Sequence, residues 1–516
     1  MVRRVVVGAL CIALARPEAH AQTTAAWRHQ AFREINYFRV TTTGSVVVVT
    51  DSGAVALDPS DGHTLWERRG NVGYIGLGLS LVGMVPTAER WEIVDLQSGQ
   101  TRWAVEDLPL SGAHTFLALD RLNLMLVDGP SNAGPFTLVA ASLDSGVVRW
   151  RLDTLLSHVP KLADRSKDLP LAEAQPLLLD TDSTAVVFPR RGGILRIHTG
   201  TGALLWRADT LVDEEPLRVR WGYAPMVADS DLVLVPYDRR LMAIVREDGR
   251  VLWDHGDKFP SQLAQIVPTQ HGILVRGYYK QDKPSDSIDG FIDLLDRATG
   301  RSLWTRPMKD LKNPTALLVR GDTAYFAGKD RFFALDLPSA KLRQVAELDF
   351  KGGESPWLIE ERGGALVLLS SQNLACVETG GATRFHKYYP APGASLFSKI
   401  MSTAAIVGLN MALGAGAQSL ANSSGGVVVY PQMVDNPVLS LRYKATLEAD
   451  RYTHLLTSAE AADGRRGFSV VRLEKETGAE AGRVWVDDRS PDYALDPASG
   501  TVYLLRDKRV IEALRF

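Results

Sequence analysis

The feature that most constrains this 516-residue chain is a repeat in which a Gly is followed four residues later by Trp. Six copies come in order: DPSDGHTLW (Gly62, Trp66), DLQSGQTRW (Gly99, Trp103), SLDSGVVRW (Gly146, Trp150), HTGTGALLW (Gly202, Trp206), VREDGRVLW (Gly249, Trp253) and DRATGRSLW (Gly300, Trp304). Successive glycines lie 37 to 56 residues apart, the size of one sheet-forming unit. In most copies an apolar run stops at a polar cluster, the chain turns at a Gly that can take φ > 0, and it leaves towards the Trp. Degenerate copies extend the series. ALDLPSAKLRQ (334–344) has Ala340 for Gly and Gln344 for Trp, CVETGGATRF (376–385) ends on Phe385, and VRLEKETGAEAGRVW (471–485) reaches Trp485 through a longer turn.

Upstream of the turns, pairs of short apolar runs are joined by tight polar turns, as in SVVVVTDSGAVALD (45–58), LVLVPYDRRLMAIV (232–245) and TAYFAGKDRFFALD (323–336). Each reads as a β-hairpin, so a unit supplies an inner strand, a hairpin, the Gly turn and an outer strand near the Trp. Four antiparallel strands per unit make a propeller blade. The last residues, TVYLLRDKRVIEALRF (501–516), match a hairpin and stop before a Gly turn, while AAWRHQAF (25–32) matches the missing outer strand, with Trp27 in the Trp position. The sequence therefore predicts an all-β fold over 22–516: one large β-propeller of ten units, with eight as the alternative count, closed by its N-terminal strand.

Residues 1–21 read as an export signal, with Arg3 and Arg4 before the apolar run Val5–Ala15 and a small-x-small site at Ala19-His20-Ala21. Cleavage after Ala21 would leave a periplasmic or outer-membrane-associated protein. Cys11 follows Leu10 rather than the small residue that lipid attachment requires, and the one other thiol, Cys376, sits in the apolar run LACV. A net charge of −2 gives no reason to expect a nucleic-acid partner. No two histidines stand at metal-ligand spacing, and no phosphate loop or nucleophile elbow is present.

The recurring apolar run, Asp, Gly turn and Trp resembles the tryptophan-docking repeat of the PQQ-type, quinoprotein-like β-propellers. The likeness covers nearly all of the chain after residue 21 except roughly 387–450. It implies that Trp27, Trp66, Trp103, Trp150, Trp206, Trp253, Trp304 and Trp485 pack against the neighbouring blade. A ring of that size with one N–H to satisfy needs such a position. Two functions go with the family. Its quinoprotein dehydrogenases hold PQQ beside calcium and a catalytic Asp in the central channel, and typically carry a vicinal disulfide; this chain has no adjacent cysteines. Its non-catalytic members resemble the periplasmic propeller subunit of the outer-membrane β-barrel assembly machinery. The expectation is a non-enzymatic interaction or assembly platform in the cell envelope with no cofactor. The alternatives are a PQQ- or small-ligand-dependent oxidoreductase using the channel, with PQQ and calcium as its cofactors, and a carbohydrate- or polymer-binding propeller.

Two features could carry binding. Basic hairpin turns, Arg190 and Arg191, Arg239 and Arg240, Lys329 and Arg331, Lys508 and Arg509, should ring the face opposite the Gly turns and favour an anionic partner. The second is an apolar insertion, 387–450, whose stretch 400–417 carries no charge. Within 395–421, Leu396, Phe397, Ile400, Met401, Val407, Leu409, Met411 and Leu413 offer an apolar helical face for an envelope protein or a membrane surface. The sequence names no catalytic residue, no metal ligand and no oligomeric state.

Overall fold

The middle strands of most units are largely buried: Val46–Thr50 and Gly53–Leu57 expose only the side chains of Thr50 and Val55, and those only partly. A strand covered on both faces reads as a continuous apolar run instead of an alternating one. That is why these hairpins look uniformly hydrophobic in the sequence. The computed structural model describes residues 25–516 except 71, 77–79, 88–89, 105–114, 120–121, 131–135, 153–176, 182, 188–193, 209–225, 238, 256–258, 261–262, 279–288, 313, 392–440, 443, 446–447, 461–465 and 487–490.

The described strands form ten antiparallel sheets, nine of four strands and one of three, each built from consecutive strands except the one that joins the chain ends. In that sheet Trp27–Gln30 pairs with Val510–Arg515, in the register Trp27↔Ala513 and Gln30↔Val510. The ring is closed by its N-terminal strand, and the blade count is ten rather than eight.

The apolar core confirms closure. Each of its ten clusters straddles two sheets that are neighbours in sequence or at the chain ends. One packs Val47, Val49 and Trp66 of blade 1 against Val85, Val94 and Leu96 of blade 2. Another packs Trp27, Tyr503 and Ile511 of blade 10 against Ile35, Val46 and Leu57 of blade 1. Ten blades with ten interfaces leave no sheet face unpaired, which only a closed ring permits.

Blade 9 is the three-stranded one, formed by Tyr452–Glu460, Arg466–Glu474 and Glu480–Val486. No described strand fills its channel-side position. The described residues between 441 and 449 are helical instead. They are pinned at both ends. Arg442 Nη2 and Nη1 reach the buried Asp496 of blade 10 at 2.7 and 3.2 Å. Asp450 takes Arg362 of blade 8 and, at 3.1 Å, Lys475 of blade 9, which also meets Glu360 at 2.7 Å. The insertion expected over 387–450 is thus shorter at both ends, because Thr383–Tyr388 is still outer strand and 441–450 is anchored on the ring. Its apolar residues Leu396 to Leu413 lie outside the described residues, as do residues 1–21, Arg190 and Arg191.

Candidate functional site

The Gly–Trp turns are joints. Trp66 stands opposite Ala56 in the register, where a bulge breaks the ladder, and the same irregularity recurs at Trp103, Trp150, Trp206 and Trp253. A bulge kinks the outer strand and re-aims its side chain, here onto the next blade. The ring lies on that blade's turn glycine, leaving no room for a Cβ. At Gly62, Gly99, Gly146, Gly202, Gly249 and Gly300 an added carbon would stand 2.4–2.6 Å from the Trp of the preceding blade. The indole N–H always donates to the carbonyl three residues before that glycine: Trp27 to Pro59, Trp66 to Leu96, Trp103 to Leu143, Trp150 to Thr199, Trp206 to Arg246 and Trp253 to Arg297, all at 2.8–3.0 Å. Trp304 keeps the bond to Leu337 at 3.1 Å, although Ala340 replaces the glycine.

Three joints depart further from the rule. In blade 7 Gln344 stands in the Trp place, opposite Phe333 at the bulge. Phe385 takes the Trp place, with its ring 2.7 Å from where a Cβ of Gly478 would be. Trp485 corrects the sequence expectation: its neighbour, blade 10, is closed by strands from opposite ends of the chain and offers no Gly turn. The ring stays half-buried beside Gly467 of its own sheet.

Among the described residues, one group could offer three metal-ligand atoms, Asp58, Asp61 and His63 in the first Gly turn. Asp58 Oδ1 accepts from the Ser60 amide at 2.8 Å, and Asp61 Oδ1 accepts from the His63 amide at 3.0 Å. The His63 ring nitrogen Nδ1 is 2.6 Å from Asp61 Oδ1, which raises the imidazole above its ordinary pKa and lowers the carboxyl. Half-buried Asp58 and exposed Asp61 and His63 are locally satisfied and cap a turn. Cys376 is fully buried, and desolvation pushes its thiol up, away from reactivity.

On the inner strands the described carboxylates pair with cations. Glu361 meets Arg320 at 3.2 Å, Glu360 meets Lys475, and Asp496 meets Arg442. Just beyond the inner strands of blades 4 and 5, Asp180 takes Arg196 and Arg246 at 2.8 and 2.9 Å, while Asp229 and Asp231 share Arg297. Most of these pairs join one blade to another. Desolvated ions need such partners.

The opposite face differs. In a four-stranded blade the hairpin joining strands two and three exits opposite the Gly turn, so Arg239, Lys329 and Lys508 share one face though they lie in blades 5, 7 and 10. All three sit in the left-handed region, at φ 64°, 52° and 58°. The same turns carry Arg240, Arg331 and Arg509. Arg240 lies 5.9 Å from the centroid of the Tyr237 ring, whose hydroxyl donates to Asp254; burial and that carboxylate raise the phenol above its ordinary pKa. Among the described residues Arg331 and Lys508 have only long ion-pair contacts, with Asp330 and Glu34 at 3.7 and 3.6 Å. These cations share a face, not a pocket. The exposed rings Phe32, Trp357 and Tyr388 lie on or beside blade-to-blade connectors of the same face. Sequence reasoning missed them, because single aromatics beside a turn carry no pattern.

A closed ring of mostly four-stranded blades, jointed by Trp-on-Gly contacts, defines a PQQ-like, quinoprotein-type β-propeller. The sequence profile of the family described as outer membrane protein assembly factor BamB matches residues 88–339 and 190–387. These stretches together span more than half of the chain, and the chain belongs to that family. Among solved structures, BamB from Moraxella catarrhalis is 16% identical with a TM-score of 0.34, over 68% of this chain and 95% of that one. A quinohemoprotein alcohol dehydrogenase from Comamonas testosteroni is 12% identical with a TM-score of 0.35, over 69% and 72%. A eukaryotic initiation factor gives 11% and 0.40, over 88% and 97%. Similarity of this degree carries no argument about function. No curated protein sequence matches the chain.

Proposed function

We propose that this chain is an exported, non-enzymatic propeller that holds an acidic protein partner on the face of its strand-two-to-three turns, as an assembly platform in the cell envelope. The observation that carries this reading is the left-handed backbone of Arg239, Lys329 and Lys508. An L-residue there costs about 1–2 kcal/mol, and Gly or Asn is the stable choice in such a hairpin. Three blades hold a long left-handed cation within the hairpin turn on that face, and strain kept in corresponding turns points to use. Exposed Phe32, Trp357 and Tyr388 add the aromatic contacts that anchor protein interfaces. The ion-paired carboxylates of the inner strands support a scaffold over channel chemistry. Arg3, Arg4 and the Ala19-His20-Ala21 site support export, and the apolar stretch 395–421 supplies a second attachment to an envelope partner or membrane.

The test replaces Arg239, Lys329 and Lys508 by Gly, singly and together, and measures both unfolding and co-purification from envelope extracts. The triple variant should be more stable and hold less partner, with a weaker salt dependence of what remains. Undiminished association with unchanged salt dependence would remove the assignment of that face. A parallel deletion of 395–421 tests the second attachment, which fails if association persists in full.

A further inference from the structure

The seam between blades 9 and 10, on the Gly-turn side, holds charges that no described carboxylate answers. Tyr452 opens the second strand of blade 9. The Arg451 guanidinium carbon lies 4.6 Å from its ring centroid and that of Arg472 lies 3.8 Å from it. Arg472 also faces the Phe516 ring, at 5.8 Å. Arg451 donates to the Tyr452 hydroxyl, and neither guanidinium pairs with a carboxylate among the described residues. The Nε of Arg472 is buried with no hydrogen-bond acceptor among the described residues. Nearby Lys475 is different, since Glu360 and Asp450 answer it and Arg362 together.

A second, independent observation lies one register step inward. His454 stands directly opposite Arg472 in the antiparallel pair, so both side chains emerge on the same side of the sheet. Both of its ring nitrogens are buried and neither has a partner among the described residues. Burial, with Arg472 and Lys475 close by, lowers its pKa to about 3, so the ring is a neutral donor of one N–H rather than a third charge. Phe516 covers the ring at 5.1 Å. Here blade 10 has no Gly turn, because its third and fourth strands come from opposite ends of the chain. A side chain at Gly500 would crowd Arg472, its Cβ falling 2.9 Å from Nη1.

We propose that this seam binds a doubly charged phosphate group, held by the forks of Arg451 and Arg472 with the His454 N–H as a further donor. Two unanswered positive charges match a dianion better than a carboxylate, which would leave one of them uncompensated. Arg forks also suit the several oxygens of phosphate. Arg451 is exposed and Arg472 partly so, which gives the group a way in from solvent. The phosphate could be free or borne on a lipid headgroup, and the two sources share this chemistry.

The experiment titrates the full chain with inorganic phosphate at constant ionic strength by calorimetry. In parallel it sediments the chain with vesicles of phosphatidylcholine, with and without phosphatidic acid. Saturable binding of either probe is expected, weakened about tenfold or more by Arg451→Gln or Arg472→Gln. A shift of the His454 ring nitrogens on binding should accompany it. Arg451 is on the surface, so its variant should unfold at the same temperature as the parent. Binding of inorganic phosphate identifies a soluble source, and binding confined to phosphatidic acid vesicles identifies a lipid. Absence of saturable binding to both probes, or binding indifferent to both substitutions, would overturn the proposal.

Discussion

Replacing Gly99 by Ala should cost the ring about 2–5 kcal/mol, in two separable parts. The first is conformational: Gly99 sits at φ 67°, where an L-residue costs about 1–2 kcal/mol. The second is steric, since the new Cβ would lie 2.4 Å from Trp66 Cγ. That ring cannot simply step aside. It is 7% exposed, packed among Val47, Val94 and Leu96, and tethered by its N–H to the Leu96 carbonyl at 3.0 Å. Overpacking of such a site costs about 1–3 kcal/mol. Gly321 supplies the control, with φ 55° and no atom within 4 Å of its added Cβ. Gly321→Ala should therefore show the first part alone. The assay is urea unfolding of the full chain followed by far-UV circular dichroism, comparing the two variants. In a Trp66→Leu background the excess of Gly99→Ala over Gly321→Ala should shrink, because a smaller side chain leaves the room the methyl needs. Equal losses for the two glycines, or an excess that survives Trp66→Leu, would refute the view that the joint is a ring clamped on a turn.

The remaining predictions concern strain, a buried ion pair and one histidine. Ala340→Gly should raise stability by about 1–2 kcal/mol, because Ala340 is held at φ 55° where Gly rests without strain; thermal unfolding reads it. Arg442→Ala should cost about 3–5 kcal/mol, as it strands the buried carboxylate of Asp496; the loss should shrink in Arg442→Ala/Asp496→Asn, measured by the same unfolding. His454 has its pKa lowered from 6.5 to about 3 in the fold, so it stays neutral there while the unfolded chain takes up a proton. Its contribution is whole above pH 6.5 and is lost as pH falls towards 3, at a slope of about 1.4 kcal/mol per pH unit. His454→Gln should flatten the stability profile by that slope across this window, and an unchanged profile would count against a buried neutral imidazole.

What the sequence determined by itself is the architecture, because its signals are short-range. The Gly-to-Trp spacing, the paired apolar runs and the turn residues each act within a dozen positions. Repeated, they specify blade after blade, down to Trp27 as the outer strand of the last one. What depends on which blades become neighbours, or on the backbone inside a turn, shows only in the tertiary structure. Trp485 matches the repeat yet finds no glycine, because its neighbour is assembled from the two ends of the chain. Lys329 and Lys508 look like ordinary polar turn residues, and only the backbone shows them in a left-handed conformation. Arg442 meets Asp496 from 54 positions away, and Arg472 reaches Tyr452 and His454 only across a strand pair. Local hydrogen bonding and hydrophobic patterning write blades into a sequence. Charges left unanswered at a seam arise from which blade ends up beside which, and no local pattern records that.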